Sequence, residues 1–330
     1  MKIAVLSDGA WGTALAMNLI DNGHEVVSWG PFPDYLDEMR EKRENVRFLP
    51  GVKLPEALSF EADIGRAADG AGLLLLATPT QYLRGVLDKL KPHFDPQRHL
   101  LLDVAKGIEV DSWLLISEMV RQVLGPNRYA VLSGPSHAEE VSRRVPTAVV
   151  AASANPADAE LVQQLFINDN FRVYTGSDVV GVELGGALKN VMAIAAGIID
   201  GMKLGDNPKA ALMTRGISEM GRLGELLGGK AQTFSGLSGI GDLIVTCTSG
   251  HSRNRHVGEE LGRGKRLPEI LSSMGMVVAE GVTTARGAYT LARRTGAETP
   301  IIDEIHAILY EDRNVPDAIR NLMSRSAKPE

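Results

Sequence analysis

The chain begins with a strand, a glycine turn, a helix and a second strand, and few folds accommodate that order. Lys2-Ile3-Ala4-Val5-Leu6 is a short apolar run, Gly9 and Gly12 follow it, and Thr13 to Ile20 reads as a helix. Gly23 closes that helix, and Glu25-Val26-Val27-Ser28-Trp29 reads as a second strand. A β-α-β unit of roughly 30 residues is the setting in which such glycines signal a dinucleotide site. In the pattern G-x-G-x-x-G, Gly9 takes the second place and Gly12 the third, letting backbone approach a pyrophosphate at the helix N-terminus. Ser7 stands in the first place, so the turn there carries a Cβ and cannot rely on a positive φ. A purely structural tight turn is the competing reading of so short a motif. Past the second strand, Gly30-Pro31-Phe32-Pro33-Asp34 offers directly neither an acid for a ribose 2′-hydroxyl nor an arginine for a 2′-phosphate. NAD and NADP therefore both stay open.

The alternation continues. Gly72-Leu73-Leu74-Leu75-Leu76-Ala77 is apolar throughout, as central parallel strands are, and Tyr82 to Leu90 supplies a helix. Further strands are predicted over residues 99–105, 129–132, 147–152 and 171–174, with a helix over Pro156 to Phe166. Strands alternating with helices predict a Rossmann-like, doubly wound parallel sheet, which we place at residues 1–177. Ligands of such sheets bind beyond the carboxyl ends of the strands. Gly9, Thr78, Lys106 and Gly134 all fall there, so one crevice is expected to gather them. For Lys106 the plain alternative is a solvated loop lysine.

After about residue 177 helices take over, which predicts an all-α domain over 178–330. Asn207 is read as an N-cap with Pro208 at the first helical position, and the segment from Ala210 runs to Leu227. Later helices are predicted at 253–261, 267–274, 283–295, 301–310 and 315–323. The first helix of this half carries Leu188, Val191, Met192, Ala195, Ala196 and Ile199 at helical spacing, so that face must be buried. Lys189 sits among them. Either its stem covers the core while the ammonium reaches water, or it is held in a cleft beside small residues that leave room for a substrate. A buried lysine needs a partner, and Asp242, ending the glycine-rich run from Ser235, is a candidate, although it could be a mere loop cap. Ser252-Arg253-Asn254 precedes another helix and reads either as a phosphate cradle or as a capped, basic surface turn.

Bulk properties narrow the class. The 330 residues are 44% hydrophobic and 23% charged, with a net charge of −6, as in an ordinary soluble two-domain protein. An acidic balance argues against nucleic acid or an anionic membrane as the main partner. An anionic substrate would need a local basic pocket. The single cysteine, Cys247, leaves no internal disulfide and suits a reducing cytoplasm. The apolar start is too short for a signal peptide, no run is read as a membrane span of about 18 apolar residues, and residues 326–330 carry no lipidation signal. We expect a cytoplasmic protein.

Several longer segments, in order, resemble the bacterial-type NAD(P)-dependent glycerol-3-phosphate dehydrogenase family. They are Trp11-Gly12-Thr13-Ala14, Leu49-Pro50-Gly51-Val52, Lys106-Gly107-Ile108-Glu109 and Gly134-Pro135-Ser136-His137-Ala138-Glu139-Glu140-Val141. Gly186-Ala187-Leu188-Lys189-Asn190, the run from Asn207 to Gly216, Gly239-Ile240-Gly241-Asp242 and Ser252-Arg253-Asn254-Arg255 complete the set. The resemblance covers nearly the whole chain. It implies interconversion of dihydroxyacetone phosphate and sn-glycerol 3-phosphate for glycerophospholipid synthesis by a homodimer, with NAD or NADP and no metal. It further implies Lys189 as the proton donor and acceptor, supported by Lys106 and Asp242. Substrate contacts are implied at Lys106, Gly134, Ser136, Lys189, Asp242, Ser252, Arg253 and Asn254. Nucleotide contacts are implied at Ala10, Trp11, Lys106, Ala138, Arg253, Val278 and Glu280, beside Gly9 and Gly12 of the turn. Ser7, Asp8, Ala10 and the Gly30–Pro33 segment depart from the family pattern. A β-hydroxyacid or ketopantoate reductase and a catalytically silent dinucleotide sensor are the alternatives. From elementary chemistry, Lys106, Arg253 and the positive end of its own helix are expected to lower the pKa of Lys189.

Overall fold

A computed structural model describes residues 1–275 and 278–327. The last residues of the tail considered above, 328–330, lie outside it. The chain begins with β1 (Lys2–Leu6), α1 (Ala10–Asp21), β2 (Glu25–Trp29) and α2 (Pro33–Lys42). A small hairpin of β3 (Glu44–Asn45) and β4 (Leu49–Lys53) follows, then β5 (Ser59–Glu61) and α3 (Ile64–Ala68). Next come β6 (Leu73–Leu76), α4 (Thr80–Leu90), β7 (Leu100–Asp103), α5 (Ile116–Leu124) and β8 (Arg128–Ser133). The sheet is completed by α6 (Ala138–Val141), β9 (Thr147–Ala152), α7 (Pro156–Phe166) and β10 (Phe171–Gly176).

Eight of these strands form one sheet in the order β10-β9-β8-β7-β6-β1-β2-β5. β1 lies between β2 and β6, so the strand order reverses there and a crevice opens at the ends of β1 and β6. The all-leucine β6 is completely buried because helices cover both faces of the sheet. Ile3, Leu73 and Leu75 pack on one side, and Ala4, Leu74 and Leu76 on the other.

The sheet is not wholly parallel, contrary to expectation. β9 pairs antiparallel with β8, and β10 then runs parallel to β9. Between β8 and β9 there is only the single turn of α6. A parallel return usually lays a full helix across the sheet, and residues 134–146 hold only this one turn. An apolar run by itself carries no direction.

The helices after β10 are α8 (Val179–Gly201), α9 (Asp206–Leu226), α10 (Ala231–Phe234), a π-helical turn (Leu237–Gly241) and α11 (Asp242–Thr248). They continue with α12 (Arg253–Gly262), α13 (Leu267–Ser273), α14 (Glu280–Thr295), α15 (Pro300–Tyr310) and α16 (Val315–Met323). Helix α9 starts two residues earlier than expected, at Asp206, with Gly205 rather than Asn207 at its N-cap, at φ 92°. Pro208 still lies in the first turn, where no intrahelical N–H is lost.

Helix α8 is the axis of this half. Every residue from Gly181 to Ile199 is buried, so it is apolar all round rather than on one face. It is also long and apolar enough to cross a membrane, contrary to the reading that no run comes near that length, but its apolar window is enclosed by the protein. Small residues allow the closest packing. A Cβ on Gly197 would collide with the carbonyl oxygen of Arg255, and one on Gly258 with that of Ile194. Helices α8 and α12 therefore touch backbone to backbone, which fixes Ser252 and Asn254 relative to Lys189.

Candidate active site

Lys189 lies in the middle of α8 with only 6% of its surface exposed. Its Nζ donates to Asp242 Oδ1 at 2.8 Å and to Thr246 Oγ1 at 2.7 Å. Asp242, 1% exposed, accepts from Lys106 Nζ through its other oxygen at 2.6 Å. One carboxylate thus bridges two ammonium groups from different parts of the chain. Lys106 also donates to the carbonyl of Gly134 at 3.1 Å, and Ser136 Oγ donates to the same carbonyl at 2.8 Å. Gly134 needs its hydrogen side chain, with φ 146° and Val149 Cα only 3.0 Å from where a Cβ would lie.

The electrostatics follow from burial. Burial lowers the pKa of Lys189 to about 8; Asp242 opposes this and Lys106 adds to it. Desolvation, which the sequence expectation left out, is the main cause. The positive helix end contributes nothing of note, because Lys189 is far from Val179 and such effects fade within a turn. Burial alone would raise the carboxyl of Asp242, but Lys106 and Lys189 hold it below the usual carboxylate range. Both partners are shifted down because the lysine is desolvated more than one shared carboxylate can offset. Removing Asp242 would leave the buried ammonium of Lys189 without its carboxylate, a loss of about 3–5 kcal/mol, whereas removing Lys189 leaves Asp242 paired with Lys106.

A second layer orders these groups. Asn190 Nδ2 donates to the carbonyl of Lys106 at 2.9 Å, and its Oδ1 accepts from Asn254 Nδ2 at 2.9 Å. Asn254 Oδ1 in turn accepts from the Gly281 amide at 2.9 Å. Asn254 is thus engaged on both sides of its amide as a strut between α8, α12 and α14. Ser252 caps α12 by accepting from the Arg255 amide at 3.2 Å, and Arg253 opens that helix with its side chain exposed.

Thr246 and Asn190 were not singled out as site residues from the sequence. Thr246 had a signal, since it follows Asp242 by one helical turn on α11. His137 is another. It lies 5.8 Å from His251, its Nε2 is buried with no hydrogen-bond partner among the described residues, and burial, Lys189 and Lys106 lower its pKa.

The β1–α1 turn suits a dinucleotide. Gly9 caps α1 without a side-chain hydrogen bond, so the first amides of the helix are left to a ligand or water. A Cβ on Gly12 would lie 3.1 Å from both Val5 Cγ1 and Ala77 Cβ, so only glycine lets α1 sit this close to β1 and β6. Ala10 and Trp11 begin α1, and the indole Nε1 of Trp11 is buried without a partner among the described residues. Ser7 avoids a positive φ and instead braces the turn, its Oγ accepting from the Gly9 amide at 3.0 Å. Ala138 begins α6, buried. Glu280 begins α14 and joins the two halves, accepting from the amide and hydroxyl of Thr80 at 3.0 and 2.9 Å. Val278 is half-buried just before it.

Comparison with known proteins identifies the family. A family model for the N-terminus of NAD-dependent glycerol-3-phosphate dehydrogenase matches residues 2–159, and one for the C-terminus matches 178–320. Glycerol-3-phosphate dehydrogenase [NAD(P)+] of Geobacter sulfurreducens is 50% identical over 332 residues, covering 100% of this chain and 98% of that one. The enzyme of the same name from Bacillus velezensis is 49% identical over 328 residues, covering 98% and 94%. The crystal structure of glycerol-3-phosphate dehydrogenase from Coxiella burnetii superposes with a TM-score of 0.94 at 40% identity, covering 98% of this chain and 99% of that one. The chain belongs to the NAD-dependent glycerol-3-phosphate dehydrogenase family.

Proposed function

We propose that this crevice interconverts dihydroxyacetone phosphate and sn-glycerol 3-phosphate, with Lys189 moving the proton. The observation that carries the reading is a buried ammonium fixed by Asp242 and Thr246, with a pKa near 8, at the carboxyl edge of a dinucleotide-binding sheet. Bound NADH or NADPH would supply the hydride. The substrate oxygen gains negative charge as its carbon is reduced, and Lys189 Nζ passes it a proton. In the reverse direction neutral Lys189 takes the hydroxyl proton. A general acid works best with a pKa near the operating pH, and an unperturbed lysine, at about 10.4, is too weak. Asp242 aims the ammonium, and Lys106 keeps Asp242 ionised while adding positive charge for the substrate.

Ser252, Arg253 and Asn254 with the first amides of α12 form the phosphate end, and Gly134 and Ser136 line the opposite wall. Gly9, Ala10, Trp11, Gly12, Ala138, Val278 and Glu280 serve the nucleotide. The division at residues 1–177 and 178–330 then leaves most of the nucleotide residues in the first part and the proton donor in the second. Full-length relatives of one named activity favour this reading over a β-hydroxyacid or ketopantoate reductase and over a silent sensor. The product feeds glycerophospholipid synthesis. A cytoplasmic homodimer fits the same reading, and the buried thiol of Cys247 suits a reducing compartment. The test is oxidation of NADH or NADPH by dihydroxyacetone phosphate in wild type and Arg253→Ala. The variant is expected to raise the substrate KM by about tenfold or more, the worth of one charge-assisted hydrogen bond. An unchanged KM would remove Arg253 from the phosphate site.

A further inference from the structure

An acid at the end of the second strand is the usual acceptor for the adenosine ribose 2′-hydroxyl. In this chain that position is Gly30, directly after β2. The space that a side chain at residue 30 would fill is taken by Asp8 and by Leu36 Cδ2. A Cβ built on Gly30 would lie 2.9 Å from Asp8 Oδ2 and 3.0 Å from Asp8 Cβ. Asp8 itself stands between Ser7 and Gly9, in the turn that receives the pyrophosphate.

We infer that Asp8 replaces the missing acid of the second strand, accepts the ribose 2′-hydroxyl, and makes the enzyme select NAD(H) over NADP(H). This rests on the dinucleotide reading of the crevice. Three observations support it. First, Asp8 Oδ2 is buried with no hydrogen-bond partner among the described residues, so this acceptor is left for something else to meet. Second, the turn is braced from outside, with Asn45 Nδ2 donating to the Asp8 carbonyl at 2.8 Å and to Thr13 Oγ1 at 2.8 Å. The backbone that carries the carboxylate is therefore held in place. Third, residue 30, directly after β2, carries no side chain to crowd it. A 2′-phosphate brought to the same place would meet a fixed negative charge at close range.

Burial raises the pKa of Asp8, and Arg47 is the competing group, since its charge opposes that rise. Its guanidinium is already stacked 4.0 Å over the Tyr35 ring and faces Glu38 at 3.6 Å. Were Arg47 to govern the pocket, NADPH would be preferred.

Direct titration of the folded protein with NADH and with NADPH, following nucleotide fluorescence at fixed ionic strength, tests the inference without turnover. Wild type is expected to bind NADH about 10- to 100-fold more tightly, the range of one charged hydrogen bond. Asp8→Ala should weaken NADH and bring the two dissociation constants together. Asp8→Asn keeps the shape and an acceptor, so it should retain NADH more fully while relieving the NADPH penalty. Equal or NADPH-favouring binding by wild type would overturn the inference, as would an unchanged ratio in Asp8→Ala. A ratio that moves with Arg47→Ala but not with Asp8→Ala would transfer selectivity to Arg47. Binding of neither nucleotide would overturn it together with the reading it rests on.

Discussion

The two ends of the crevice handle buried charge in opposite ways. Around Lys189, the ionic groups are saturated: Asp242 holds Lys189 and Lys106, and Thr246 meets Lys189 while donating to the Asp242 carbonyl at 2.6 Å. At the nucleotide turn, Asp8 keeps one buried oxygen without a partner among the described residues, although the loop around it is well braced. A proton-transfer group has to be aimed before substrate arrives, since its value depends on position and pKa. A recognition group gains most when its partner comes with the ligand. The contrast separates chemistry from selectivity within one active site.

The largest expected effect comes from breaking the saturated end. Lys189→Ala should lower turnover by about 100- to 10,000-fold, the range for a positioned general acid, with both nucleotides still bound. Asp242 would keep Lys106 as a partner, so the fold should survive, which far-ultraviolet circular dichroism would check. Turnover near the wild-type rate would end the distinction between the two regions. The Asp8 variants are next in size and act on the ratio of nucleotide affinities rather than on the chemical step. Thr246→Val is the smallest. It removes one of the two hydrogen bonds to Lys189 and should reduce kcat by about tenfold, as one hydrogen bond of about 1–1.5 kcal/mol implies, with KM little changed. A rise in KM without a fall in kcat would make Thr246 part of the substrate surface.

The legible parts of the molecule were those with local signals. Four leucines in β6 and the strand-turn-helix at Gly9 and Gly12 announce a buried sheet with a ligand edge. The segment from Pro33 to Glu61 gave no such pattern, because α2 is polar and β3 and β5 are two and three residues long. The reversal of β9 was also hidden, since it depends on what α6 is too short to do. The long-range pairings could be named only as candidates. Lys189 and Asp242 are 53 residues apart and Lys106 and Asp242 are 136 apart, so no spacing rule links them. Asp8 looked like a departure in a glycine motif. Its meaning depends on Gly30, which became apparent only when the two strand ends were side by side. The pKa of Lys189 was expected to fall through neighbouring cations, whereas burial does most of it, and burial is a property of the whole helix packing.

The central claim is that a buried, partly deprotonated lysine transfers the proton. The sign of its pH dependence is fixed by which form each direction needs. Ketone reduction needs the ammonium, so its kcat/KM should fall as pH rises through about 8, while glycerol 3-phosphate oxidation needs the amine and should rise through the same point. The decisive measurement is the pH profile of kcat/KM in both directions for wild type and Lys189→Ala. Opposite inflections near that pH in wild type, lost from the residual activity of the variant, are the expected result. Wild-type profiles that are flat through this range, or an inflection that persists in Lys189→Ala, would contradict the assignment.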